Sequence, residues 1–88
     1  MENRHFDLIF FDGNHKKIPT LNYFNLCLKH ATENSVFIFD DIHWNHEMEE
    51  AWENIKGNPQ VTVSIDTYQW GLVFFKEEQA KQEFTLRV

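Results

Sequence analysis

Ser35 to His43 reads S-V-F-I-F-D-D-I-H, and the fold turns on this stretch. Val36, Phe37, Ile38 and Phe39 form an unbroken apolar run, β-branched and aromatic, without polar alternation. Such a run predicts a strand buried on both faces, as in a parallel sheet covered by helices. It stops at Asp40-Asp41. Two adjacent carboxylates at the end of a buried strand repel each other and resist desolvation. Water at an open cleft, a cation or hydrogen-bond donors must hold them. In open α/β sheets, ligands bind at the carboxyl ends of the strands.

Working back from Ser35, the chain predicts a helix and, before it, a first strand. Phe6 to Phe11, F-D-L-I-F-F, is the strand, and Asp12-Gly13-Asn14-His15 breaks it with turn residues. Pro19 suits a first helical turn. Ile18, Leu21, Phe24 and Leu28 then share one helical face, and Ala31 continues it. Lys29 and His30 are expected in the last turn, where positive charge suits the helix dipole. Strand, helix and strand make a βαβ unit. Its two strand ends, Asp12 and Asp40-Asp41, should open on one edge of the sheet, joined by a right-handed crossover.

Working forward, Asn45 is an N-cap, and Glu47, Glu49 and Glu50 load the start of a second helix with acid. Met48, Ala51, Trp52 and Ile55 mark its buried face, and Gly57 and Pro59 end it. Gln60 to Asp66 alternates, with Val61, Val63 and Ile65 on one side and Thr62 and Ser64 on a wetter one. Trp70 to Lys76 is almost wholly apolar, and Thr67-Tyr68-Gln69 links the two as an antiparallel hairpin. The tail over 77–88 is polar at first, and Phe84 to Val88 is either an added edge strand or a loose end. The expected order is β-α-β-α-β-β, an α/β fold with an antiparallel C-terminal hairpin.

Composition narrows the field. Eighty-eight residues allow one small domain. The net charge is −6, and the basic residues are scattered rather than striped among aromatics. That argues against nucleic acid and anionic membrane as partners. Cys27 is alone, so no intrachain disulfide forms and a reducing cytoplasm fits. The first residues carry no signal-peptide pattern, and no apolar run approaches the ~20 residues of a bilayer span.

The element order, the acids at two strand ends and the terminal hairpin resemble the C-terminal half of a class I S-adenosylmethionine-dependent methyltransferase. The likeness is to the small O-methyltransferase-like branch, with a strand ending in D-G-x-H, a helix and a strand ending in D-D. Here those motifs read Phe10-Phe11-Asp12-Gly13-Asn14-His15 and Phe37-Ile38-Phe39-Asp40-Asp41, and Trp70-Gly71-Leu72-Val73-Phe74-Phe75 is similar to the family's last, antiparallel strand. The resemblance implies part of a Rossmann-like sheet, S-adenosylmethionine as cofactor and a small-molecule methyl acceptor. It places Asp12 and His15 nearest the methyl, with His15 as a base on a substrate hydroxyl. It places Asp12 and Gly13 against the cofactor. The family's Gly-rich loop is missing: the three glycines, Gly13, Gly57 and Gly71, are far apart and no G-x-G occurs. A fragment, or a second chain supplying the other half, is the implied explanation.

Each candidate has a plainer reading. Asp12, Asp40 and Asp41 suit Mg²⁺ or Ca²⁺ as a hard-oxygen cluster, as in some relatives, or they merely cap the segments that follow. His15 is a base or a polar turn residue. His43 and His46, with Asp41, have weak zinc-ligand spacing; a helix-entry loop with Trp44 as a hydrophobic staple accounts for them better. Cys27 reads as packed rather than reactive, and Glu47, Glu49 and Glu50 as a solvated face. If the first strand lacks its family neighbour, Phe6, Leu8, Ile9, Phe10 and Phe11 line a bare sheet edge. The chain should then pair with itself as a two-fold dimer, or with another chain. Two functions follow: a methyltransferase part that is silent alone, or a non-enzymatic, self-associating binding or assembly module.

Overall fold

The computed structural model describes residues 7–11, 15–77 and 80–86. In chain order these form β1 (Asp7–Phe11), α1 (Lys17–Leu28), β2 (Ser35–Asp40), α2 (His46–Lys56), β3 (Val63–Asp66), β4 (Trp70–Phe74) and β5 (Gln82–Thr85). The strands make an open sheet in the order β1-β2-β4-β3-β5. β1 and β2 pair in parallel, with Phe11 opposite Phe39, so both run out at the same rim. β4 lies antiparallel to β2 and to β3, which confirms the expected hairpin. The hairpin does not close the fold, however. β5 follows it and adds to β3 in parallel, so the 77–88 tail contains a fifth, edge strand. Phe6, Asp12, Gly13, Arg87 and Val88 lie outside the described residues.

One face of the sheet carries the core. Phe11, Phe37, Phe39 and Val73 on that side meet Phe24 and Leu28 from α1 and Trp52 and Ile55 from α2, all nearly inaccessible. The rings interlock: Phe11 stacks on its cross-strand partner Phe39 at 4.3 Å, and Phe24 sets its edge against both Phe37 and Phe39. Gly71 is there because α2 approaches β4 too closely for any side chain. A Cβ at that position would stand 2.5 Å from the buried indole of Trp52.

The opposite face corrects the reading of β2 as buried on both sides. Along β2, residues 35, 37 and 39 are buried while 36, 38 and 40 are only half-buried. The register shows why: two rows, apolar except for Gln82, cross all five strands on the side away from the helices. One row runs Leu8, Val36, Phe74, Val63 to Gln82, and the next Phe10, Ile38, Leu72, Ile65 to Phe84. Their outer members are open to solvent, Leu8 at 65 % and Phe10 at 50 %. The alternation in β3 is therefore real but oriented oppositely to expectation. Ser64 is buried beneath the helices, whereas Val63 and Ile65 lie on the open side. Only Val61, just before the strand, reaches the covered core.

The helices also depart from their patterns in places. Ile18 is exposed, while Phe24 and Leu28 are buried as expected and Thr20 joins them. α1 ends at Leu28, so Lys29 is its C-cap and His30 lies beyond it. Cys27 packs against the core and burial pushes its thiol pKa up, as expected of a packed cysteine. α2 follows its pattern closely: Asn45 accepts the Met48 N–H at 2.8 Å, and Met48, Ala51, Trp52 and Ile55 are buried. The acids of α2 are more than a solvated face. Glu47 accepts the backbone N–H of Lys17 at 2.9 Å, so it caps α1 from the neighbouring helix. Glu50 pairs with the Lys17 ammonium at 3.2 Å, which holds its carboxyl below the usual range. Among the described residues, no helix is long and apolar enough to cross a membrane.

Candidate functional site

The rim where β1 and β2 end is laced together by side-chain and backbone hydrogen bonds among three loops. His15, past β1, places Nε2 2.9 Å from Asp41 Oδ2, past β2. Both residues sit in the left-handed backbone region, at φ 63 and φ 57. His and Asp visit that region more readily than most residues, which lets each strand turn sharply at its end. Asn45 donates from its side-chain amide to the His15 carbonyl at 3.1 Å. The Asp41 N–H reaches the Gln69 carbonyl in the β3–β4 hairpin at 2.9 Å.

A second histidine is clamped beside the first. His43 places Nδ1 3.0 Å from Glu49 and Nε2 2.8 Å from Asp66 at the end of β3. Burial pulls its pKa down, but the hydrogen bonds to Asp66 and Glu49 and their charges outweigh burial, so the net shift is upward. Two exposed aromatic rings lean on this pair. Trp44 stacks on His15 at 4.4 Å and Tyr68 stacks on His43 at 5.1 Å. Tyr68 holds a φ of 78, strained for a bulky residue. Asp41, His43, Trp44, Tyr68 and Gln69 line one cavity of about 270 Å³ at this rim.

The candidates read from sequence divide as follows. Asp12 and Gly13 fall outside the described residues, so their assigned roles at cofactor, methyl and metal rest on the resemblance. His15 and Asp41 are brought together. Asp40 is not part of that pair: it shares the parity of Val36 and Ile38, lies opposite Trp70, and its Oδ1 is buried without a hydrogen-bond partner. Among the described residues no three His, Cys, Asp or Glu side chains gather as a metal set. The zinc spacing does not materialise either, because His43 turns to Glu49 and Asp66 while His46 pairs with Glu50 on the surface. Trp44 is no hydrophobic staple: it is 63 % exposed and covers His15. Asp66 and Tyr68 carried no signal in the sequence. They belong to the hairpin, and only the sheet order brings that hairpin to the β2 rim.

A methyltransferase domain family model matches residues 1–42. That match supports a methyltransferase domain in this part of the chain. It takes in β1, α1 and β2, and it ends just past Asp41, so it includes both partners of the His15–Asp41 pair. No curated protein and no solved structure matches the chain.

Proposed function

We propose that the chain is the C-terminal part of a class I S-adenosylmethionine-dependent methyltransferase domain of the small O-methyltransferase-like kind, and that it acts on a small-molecule acceptor only within a completed domain. The carrying observation is the methyltransferase family match over the segment that forms the βαβ unit and its His15–Asp41 rim. The parallel β1–β2 pair followed by the antiparallel β4 agrees with this reading. In this reading His15, held by Asp41 and Asn45, is the base on the acceptor hydroxyl, and its tie to Asp41 supports that role. The cofactor does not fit these residues alone. The rim offers carboxylates, imidazoles and aromatic rings, and the sequence has no G-x-G to let backbone N–H groups approach a nucleotide. The chain alone is therefore inactive in methyl transfer.

The uncovered sheet face supports a second reading, that of a non-enzymatic, self-associating assembly module. Two apolar rows favour a cover that buries them. A second copy or another chain meets that need. Titration calorimetry with S-adenosylmethionine, run on the chain together with a Gly-rich half that completes the domain, separates the readings: micromolar heat beyond that of the added half alone supports methyl transfer, and no added heat supports assembly. Light scattering tests the cover itself. A mass that rises with concentration is expected, and a constant monomer mass counts against self-association.

A further inference from the structure

The cavity at the β2 rim has a lining that selects one ligand chemistry. Trp44 and Tyr68 are 63 % and 64 % exposed, although each already stacks one ring face on a histidine. Large aromatic rings held in fixed orientation with a face turned to solvent are suited to an apolar or cationic partner. Asp41 also lines the cavity; its carboxylate accepts only, with Oδ2 bonded to His15. His43 is the basic group in the lining, and both its ring nitrogens are already engaged by Glu49 and Asp66. Even with His15 and His43 both protonated, these two imidazoles face three carboxylates, Asp41, Asp66 and Glu49. The local charge is thus negative, and an anion finds no uncommitted cation in the lining.

We infer that this cavity binds a small organic cation, an ammonium group carried on an apolar or aromatic body, through the Trp44 and Tyr68 rings and the Asp41 carboxylate. The ammonium is drawn to the Asp41 carboxylate, and the body rests against the exposed aromatic rings of the lining. At about 270 Å³ the space admits a ligand of fragment size. The inference concerns binding alone and stands whether or not the completed domain transfers a methyl group.

The probe is phenethylammonium, compared with 2-phenylethanol, which keeps the aromatic frame without the charge. Indole N–H resonances in ¹⁵N NMR report Trp44 separately from Trp52 and Trp70, with Trp44→Phe assigning the signal. Phenethylammonium should shift the Trp44 resonance saturably, and 2-phenylethanol should bind about fivefold or more weakly. Asp41→Asn keeps a residue type that tolerates the left-handed backbone and should weaken the cation about three- to tenfold while leaving the alcohol unchanged. Unmoved Trp52 and Trp70 resonances show that this variant is folded. Equal binding of cation and alcohol overturns the inference, as does a cation that shifts acidic surface residues throughout without saturating at Trp44. Should Asp41→Asn unfold, the comparison of the two probes on the unaltered chain still decides.

Discussion

The two faces of this sheet are made from the same kinds of residue and have different fates. Toward the helices, Phe11, Phe37 and Phe39 are buried to the last few per cent. Away from them, Leu8, Phe10 and Phe84 are about half exposed on a surface just as apolar. The difference lies in what each face packs against. α1 and α2 both lie on one side, tied to each other through Lys17, Glu47 and Glu50. A strand shows its side chains alternately to both faces, so apolar residues on every position require two covers. The described residues provide one.

The contrast is sharpest under truncation. Phe37→Ala should destabilise the fold by about 3–5 kcal/mol in urea titration, through lost burial and the cavity left behind. Phe10→Ala should change stability by about 1 kcal/mol or less if its face is open. A Phe10→Ala loss as large as that of Phe37→Ala would break the contrast and show that the second face is covered in solution. Next in size is Gly71→Ala, expected to lose about 1–3 kcal/mol because its methyl meets the indole of Trp52, which is 1 % exposed and has no room to withdraw. Asn45→Ala should lose about 1 kcal/mol in thermal unfolding, since the Met48 N–H loses its acceptor and the His15 loop a tether.

The smallest effect is a dependence on pH. The folded-state pKa of His43 is raised, so its contribution is complete below the ordinary histidine value of 6.5 and fades as pH rises through the raised one. The melting temperature should decline gently over that window, and His43→Gln should flatten the decline. An unchanged slope in the variant would remove His43 from the account. Its partners Glu49 and Asp66 hold it between α2 and the end of β3, on the helix side of the sheet. The expected effect thus belongs to the covered face.

Much of this was readable from residues in order. The apolar run at Val36–Phe39 and the spacing of Met48, Ala51, Trp52 and Ile55 each encode a local structure, and each forms the predicted element. The pairing of His15 with Asp41 follows once two parallel strands end together. The sidedness of the strands is what the residues in order do not encode. β2 looked buried on both faces, and Val63 and Ile65 looked like the inward side of β3.

Periodicity determined by itself where strands and helices form and which residues share a side, because those are properties of neighbouring dihedrals and a pattern of two or 3.6. Tertiary structure alone decided which side is covered and which residues meet at the rim. Coverage depends on where helices pack, not on the strand that they cover. The joining of His43 to Asp66, and of Trp44 and Tyr68 around one cavity, depends on β4 carrying the hairpin back beside β2. No local preference records a contact between segments that only sheet order brings together.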